Sequence, residues 1–246
     1  DGGGGGAGAS SADAGHGTNN TGGGGGSVGG NGTKDGGDGG SGIVICRYTV
    51  WKTKLTRFDM FIVDDDFLPK NIVQDLKHLQ GVPFFYHKSS CYSYSDYSLM
   101  NARGCVHNYP QFVHSLYKGG KKQSENFEPV VSPIIKYFFD KHNISEKTLT
   151  RAKVNMTTKC SKNLRTTPHI DHVDDHYVMI YYVNDSDGDT IIYKQKYGEK
   201  RLWLTPYKRV SPKAGRCVFF NGLHYHSASL PKKTDNRCVV NINLID

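Results

Sequence analysis

The chain has 246 residues, a net charge of +8 at neutral pH and a mean hydropathy of −0.54. No segment approaches the roughly 18 consecutive apolar residues of a membrane-spanning helix, so we expect no membrane insertion. Six cysteines without a CxxC pair argue against a zinc knuckle and a compact disulfide framework. No signal peptide is visible, and we expect the cytoplasm or another soluble, reducing compartment.

The first 42 residues differ in composition from the rest of the chain. They hold 21 of the 29 glycines and no Leu, Ile, Phe, Tyr or Trp. Such a segment buries too little apolar surface to offset the entropy of ordering it. We therefore expect residues 1–42 to be a disordered linker or tail and residues 43–246 to form one domain. Because the first residue is Asp1 and not Met, we expect a processed or excerpted chain, with a C-terminal module of something longer and a domain with an expression linker as the two alternatives.

The predicted domain is more basic than the chain as a whole. Removing the one Lys and four Asp of residues 1–42 leaves 30 basic and 19 acidic residues, a net charge of about +11. This charge fits an anionic partner such as nucleic acid or an acidic peptide. The basic residues form only short groups, such as Lys121-Lys122 and Lys232-Lys233, so an ordinary basic surface is the simpler interpretation.

In chain order, the first half of the domain predicts helices and irregular segments. The predicted elements are an apolar strand at 58–67, a helix from Pro69 to Gly81, irregular strands and loops over 83–107, a short helix at 110–117 and a longer helix at 128–141. The aromatic residues of 86–97 are interpreted as loop packing, with a lid over the site as the alternative.

The second half predicts many short strands separated by turns. Strand-like runs occur at 150–156, 177–184, 190–193, 201–204, 216–220 and 237–244. Helices followed by short strands favour an α+β chain whose second half is a β-sandwich or jelly-roll barrel. Cys217 and Cys238 lie in two of these apolar runs, and we expect both to be reduced core residues.

Three separated residues suggest a metal site. His169 and Asp171 stand just before the run at 177–184, and two residues apart on extended backbone they point to one side. Alone, this pair is weak evidence, and a surface hydrogen bond between His169 and Asp171 is the simpler interpretation. However, His224 and His226 follow 55 residues later, and Arg237 lies eleven residues beyond His226. Two imidazoles and a carboxylate form the facial triad of non-haem iron(II) centres, and an arginine suits the carboxylate of a keto acid.

These motifs resemble those of 2-oxoglutarate- and iron(II)-dependent dioxygenases, most closely the prolyl 4-hydroxylase-like branch. The likeness also includes the tyrosine strand at 180–184 and the run at 215–220, and it covers about residues 150–246. The resemblance implies a double-stranded β-helix (jelly-roll, cupin-like) core with supporting N-terminal helices. It also implies Fe(II), 2-oxoglutarate and O2 as cofactors and co-substrates, with ascorbate as a candidate.

The resemblance implies specific roles for individual residues. The metal ligands would be His169, Asp171 and His226, and the far carboxylate of 2-oxoglutarate would be bound by Arg237 and Tyr182. His224 is the alternative distal ligand, although the spacing to Arg237 favours His226. At 157–158 the sequence has two threonines where the family often has a tyrosine. Asn155 and Thr157, which share a strand face, are the candidates for the metal-side carboxylate.

The substrate is less well defined by the sequence. The resemblance favours hydroxylation of a protein or peptide side chain, with proline as the first candidate. The nucleic-acid demethylase branch carries a second arginine six residues after the first, where this chain has Asn243. A small-molecule oxygenase, a cupin-like metal protein and a non-catalytic binding module on a Gly-rich stalk are the alternatives. His172 and His176, with Asp174 and Asp175, are interpreted as loop residues beside the entrance.

Overall fold

The computed structural model describes residues 60–89, 105–106, 109–199 and 203–246, with a few isolated positions among the first 40. The chain divides into two units, Asp1–Lys52 and Thr53–Asp246. All described helices and strands lie in the second unit. The predictions for residues 1–42, and for most of the aromatic segment at 86–97, lie outside the described residues.

The described part of this unit contains thirteen strands and two α-helices. The helices are α1 (Lys70–Asp75), which continues as a 3₁₀ helix (Leu76–Gly81), and α2 (Phe127–His142). The strands are β1 (Phe61–Asp64), β2 (Phe85–His87), β3 (Cys105–Val106), β4 (Gln111–Lys118), β5 (Lys121–Lys122), β6 (Thr148–Thr158), β7 (Arg165–Thr166), β8 (Tyr177–Tyr182), β9 (Thr190–Lys196), β10 (Pro206–Val210), β11 (Cys217–Asn221), β12 (His224–Ala228) and β13 (Asn236–Ile245).

Two antiparallel sheets form the body of the domain. The larger sheet has the strand order β1-β11-β8-β13-β6-β4-β2, with β5 paired to β4, and the smaller sheet has the order β10-β9-β12. Strands that neighbour each other in the larger sheet are far apart in sequence, as in β13 between β8 and β6. This arrangement is a jelly roll, so the α+β, double-stranded β-helix fold predicted from the sequence is confirmed.

The central strands β11, β8 and β13 of the larger sheet are buried on both faces, because helices pack on one face and residues of the smaller sheet pack on the other. Strand β8 shows this directly. Met179 and Tyr181 pack in a cluster with residues of α2 and α1, while Ile180 and Tyr182 pack in a second cluster with Ile192 of β9. All six residues of β8 are buried, which explains why its sequence is continuously apolar rather than alternating.

The longer predicted helix is confirmed as α2, which ends at Asn143 in a left-handed conformation (φ 51°). The predicted helix from Pro69 to Gly81 is confirmed in position, although its second half is 3₁₀. Cys217 and Cys238 are buried free thiols, as expected. No helix in the described part of the chain is both long and apolar enough to cross a membrane.

Three predictions from local pattern were wrong or incomplete. The segment 110–117 is strand β4 and not a helix, because it pairs with β6 on one side and β2 on the other. Residues 203–204 are not in a strand; the strand begins at Pro206 as β10 and pairs with β9. The segment that carries His224 and His226 is itself a strand, β12, which the local sequence pattern does not predict.

Candidate metal centre

The two histidines of the predicted triad face each other across a short antiparallel bridge. The backbone N–H of His169 donates to the carbonyl of His226 at 3.0 Å, and the N–H of His226 donates back at 2.9 Å. Their ring centroids lie 4.6 Å apart. Strand β12 therefore brings together two residues that are 57 positions apart in the sequence.

Backbone carbonyls fix the orientation of both imidazoles. Nδ1 of His169 lies 2.9 Å from the carbonyl oxygen of Thr167, and Nδ1 of His226 lies 3.2 Å from that of His224. A carbonyl can only accept, so each Nδ1 carries the proton and each Nε2 presents a lone pair. Nε2 of His226 is buried without a hydrogen-bond partner among the described residues. A buried acceptor in this state is suited to a metal ion.

Burial, followed by the neighbouring His169, lowers the pKa of His226 to about 3. The His226 imidazole is therefore neutral at physiological pH, which is the form that binds metals. Asp171 behaves in the opposite way. Burial alone would raise the pKa of its carboxyl, but Arg151, His226 and Lys153 together hold that pKa well below its usual value.

Asp171 is fixed by side chains from two strands of the larger sheet. Nη2 of Arg151 lies 2.8 Å from its Oδ1, and the side-chain amides of Asn243 and Asn241 donate to its Oδ2 at 2.9 and 3.3 Å. Asn243 and Arg151 are register partners on β13 and β6. Between the two candidate ligands, Ile170 is buried in the opposite direction, which sets His169 and Asp171 on one side.

One nitrogen each from His169 and His226 and one oxygen from Asp171 lie within 4.8 Å of one another. This spacing and donor set fit one metal ion bound on one face. His224 is not part of the group; its Nδ1 lies 2.8 Å from the carbonyl oxygen of Tyr193. The alternative distal ligand is therefore outside the set of donor atoms that lie within 4.8 Å of one another.

Arg237 is buried in the same cavity as the triad. Its Nε donates to the carbonyl of Gly188 at 2.8 Å and its Nη2 to Oγ1 of Thr190 at 2.7 Å. No described carboxylate lies within ion-pair distance of this buried cation, although Asp189 is close enough to interact with it electrostatically. Such a charge is costly unless an anion joins it. The side chain therefore suits a bound carboxylate.

The ring of Tyr182 lies beside the guanidinium of Arg237, and its hydroxyl is bonded within the protein. Cζ of Arg237 is 5.7 Å from the centroid of the Tyr182 ring, and the Tyr182 hydroxyl donates to Oγ1 of Thr190 at 2.7 Å. Burial raises the pKa of Tyr182 to about 12, although Arg237 acts against this, so the phenol stays neutral. Thr190 joins both side chains, and sequence reasoning missed it because only the position of β9 places it there.

Asn155 and Thr157 line the cavity from β6, opposite Val239 and Arg237 of β13. Oδ1 of Asn155 and Oγ1 of Thr157 are buried and lack hydrogen-bond partners among the described residues. The structure thus places both predicted residues beside the candidate anion site. Sequence reasoning did not assign roles to Asn241, Asn243 and Arg151. For the two asparagines the available signal was their shared strand face with Arg237.

A separate cavity of about 600 Å³ lies beside the loop that follows Asp171, and Asp171 itself forms part of its lining. His172, Asp174 and Asp175 line it, as does the buried His176. No helix forms over 172–176, so the two histidines are not a helical zinc pair. The residues interpreted as flanking the entrance do lie beside the candidate centre.

No protein-family model and no curated protein matches the sequence. Solved structures do match. The non-haem α-ketoglutarate-dependent epimerase SnoN from nogalamycin biosynthesis is 13% identical at a TM-score of 0.52, over 76% of this chain and 78% of its own. A 2OG-Fe(II) oxygenase family oxidoreductase from Burkholderia pseudomallei is 12% identical at 0.51, over 75% and 85%. The fold is that of the 2-oxoglutarate- and iron(II)-dependent oxygenases.

The comparison extends to a third structure, AviO1 from Streptomyces viridochromogenes, which is 11% identical at a TM-score of 0.51, over 77% of this chain and 91% of its own. Prolyl hydroxylases also match, but at TM-scores of 0.48 and below. These values do not select one branch of the oxygenase fold. The architecture is therefore clear, while the reaction and the substrate depend on the residues of the site.

Proposed function

We propose that this chain is an iron(II)- and 2-oxoglutarate-dependent dioxygenase that hydroxylates an unactivated C–H bond. The observation that carries the proposal is the pairing of two unsatisfied features in one cavity. One is the buried acceptor Nε2 of His226 beside His169 and Asp171. The other is the buried Arg237, which forms no ion pair with a described carboxylate. A metal ion and a dicarboxylate satisfy both at once.

The residues present fit these two groups. His169, Asp171 and His226 would hold the metal, Arg237 would bind the far carboxylate, and Thr190 and Tyr182 keep the guanidinium in place. Asn155 and Thr157 offer hydrogen bonds to the metal-side carboxylate. Iron(II) and 2-oxoglutarate would supply the oxidising chemistry, in which one atom of O2 enters the substrate and the other enters succinate, with loss of carbon dioxide.

The chain itself orients these groups and limits the access of water. The apolar cluster of Ile180, Tyr182, Ile192 and Phe220 lies on the inner side of the larger sheet, beside the triad. An apolar wall of this kind strengthens electrostatic interactions inside the cavity and protects a reactive oxidant. The carboxylate of Asp171 is held in place, even without a bound metal, by Arg151, Asn241 and Asn243.

For the substrate, we propose a protein or peptide side chain, with proline as the first candidate, because of the prolyl 4-hydroxylase-like motifs in residues 150–246. A nucleic-acid substrate is less well supported. The nucleic-acid demethylase branch has a second arginine where this chain has Asn243. The side-chain amide of Asn243 donates a hydrogen bond to Asp171 at 2.9 Å. This residue therefore helps to hold the metal site and does not offer a cation to a phosphate.

The test is succinate release by the full chain with iron(II), 2-oxoglutarate and O2, with and without Pro-containing peptides. His169→Ala and Asp171→Ala should abolish release, and each should weaken Mn(II) binding by at least about 100-fold in calorimetry. His78→Ala, at an exposed histidine outside the site, is the matched control. Metal binding without any succinate would favour a cupin-like metal protein. Absence of metal binding would favour a non-catalytic module.

A further inference from the structure

A third cavity, besides that of the triad and the one beside the loop after Asp171, lies on the side of His226. It has a volume of about 300 Å³ and lies between the edge strands β1 and β10; we call it the edge cavity. Its floor is apolar and includes Phe61, Ile192 and Phe220. The proposed chemistry of the metal centre does not use this cavity.

The edge cavity is next to a candidate metal ligand. The Phe220 ring packs edge-on against the His226 ring, with centroids 5.4 Å apart. Ile192, also in the floor, is the register partner of His226 across β9 and β12. A ligand on this floor would thus be separated from His226 by a single layer of side chains, so this part of a longer substrate would be bound close to the metal centre.

The rim of the edge cavity is cationic. Lys194 and Lys196 line it, and Glu199 is the one acidic residue among its described lining. Lys208 of β10 adds a further ammonium, which lies 5.6 Å from the centroid of the Phe61 ring and 5.1 Å from that of Tyr207. These ring contacts hold the charge at the mouth of the cavity. An anionic group is therefore the complementary ligand.

The backbone beside the rim suits a polypeptide. Strand β10 is an edge strand, because β9 is its partner on one side and no described strand pairs with the other. Four of its five residues are exposed. An extended peptide can add to such an edge through main-chain hydrogen bonds while its side chains enter the neighbouring cavity. A nucleic acid strand would not use these backbone groups.

We propose that the edge cavity binds an acidic segment of a polypeptide, with a carboxylate side chain at Lys194 and Lys208 and an apolar neighbour on the floor. This inference rests on the proposed function only in treating the bound segment as substrate, since binding itself needs no turnover. It gives part of the net positive charge of residues 43–246 a role in substrate recognition. It also predicts which proline-containing sequences the chain selects.

Binding is tested with the full chain and two fluorescent peptides of equal length, one Pro- and Glu-containing and the other with Gln in place of each Glu. The acidic peptide should bind about tenfold more tightly at low salt, and this advantage should fall as salt rises. The double variant Lys194→Glu/Lys208→Glu should lose the preference. Lys121→Glu, at an exposed lysine on β5, should retain it. Lys194→Gln/Lys208→Gln is the milder variant if charge reversal impairs folding.

Equal affinity for the two peptides would overturn the inference, as would an unchanged preference in both double variants. A single-stranded oligonucleotide that displaced the acidic peptide and bound more tightly would assign the cavity to nucleic acid instead. Because succinate release without peptide is measured separately, a chain that turns over 2-oxoglutarate but ignores peptide charge would keep the proposed function and lose only this inference.

Discussion

Asn243 and Asp171 are joined by a hydrogen bond of 2.9 Å from the side-chain amide to Oδ2, across 72 residues of sequence. The bond connects the central strand β13 of the larger sheet to the loop that carries a candidate metal ligand. Asn241, two residues earlier on the same strand, donates to the same oxygen at 3.3 Å. The orientation of the carboxylate is therefore set by the sheet and not by its own loop.

Replacing this amide should weaken the metal site without removing a ligand. We expect Asn243→Ala to lower Mn(II) affinity by about 10- to 100-fold, because side chains that orient a ligand usually contribute by this amount. Calorimetric titration of the metal-free chain measures it. Asn163→Ala, at an exposed asparagine, is the control. An unchanged affinity in Asn243→Ala would show that the loop alone positions Asp171.

Changes at the arginine should affect the co-substrate and not the metal. We expect Arg237→Lys to raise the KM for 2-oxoglutarate by at least about tenfold, because lysine cannot form the paired hydrogen bonds of a guanidinium. Thr190→Val should have a smaller effect in the same direction, since it removes the acceptor that holds Nη2 of Arg237. Mn(II) affinity should stay within about twofold. A loss of metal binding in Arg237→Lys would contradict this assignment.

The ion pair between Asp65 and Arg216 should make stability depend on pH in the acid range. The hydrogen bond from Arg216, reinforced by Lys213, lowers the pKa of Asp65 from 3.8 to about 2 against the effect of burial. Because the folded-state pKa is the lower one, the stabilisation is full above about pH 4 and is lost as pH falls through 2. The pair is partly exposed, so it contributes below about 1 kcal/mol.

Urea unfolding of the wild type and Asp65→Asn at several pH values measures this contribution. The free energy of unfolding of the variant should be lower at pH 7, and the difference should shrink as the pH is lowered from 4 towards 2. A difference that grew on acidification would reverse the expected sign. Asp140→Asn serves as the comparison, because Asp140 lies in an exposed i,i+4 pair with Lys136.

The turn between β11 and β12 should not tolerate a side chain. A Cβ at Gly222 would lie 2.1 Å from Nε2 of the buried His176. We expect Gly222→Ala to destabilise the fold by about 1–3 kcal/mol, because the ring or the turn must move. Gly81→Ala is the matched control, since a Cβ there meets nothing within 4 Å. Thermal unfolding of both variants distinguishes them, and equal midpoints would contradict the packing.

The longer helix and the pair His169 and Asp171 could be predicted from the sequence because their signals are local, whereas the fold class and His226 were predicted from motifs that resemble a known family. His169 and Asp171 are two residues apart, and α2 has a continuous apolar face. The strand at 111–118 was predicted as a helix, because a short run with weak periodicity does not distinguish the two structures. Pairing with β6 decides the outcome, and this pairing is a property of the whole sheet.

The residues that support the site depend on cross-strand register, which the sequence does not reveal. Thr190 accepts hydrogen bonds from Tyr182 and Arg237 only because β9 brings it to their side. The same holds for Arg151, which reaches Asp171 through the pairing of β6 with β13. A single sequence gives the face of each strand, but it does not give the neighbour across the gap.

The candidate ligands belong to different layers of the domain. His226 lies on the smaller sheet and holds His169 by the two-way backbone bridge, whereas Asp171 is tied to the larger sheet through its asparagines. A metal ion bound by all three residues would therefore link the smaller sheet to the larger sheet. Removal of the metal by a chelator would then destabilise the domain as well as inactivate it. The resistance of the protein to proteases inside a cell would then depend on the supply of iron.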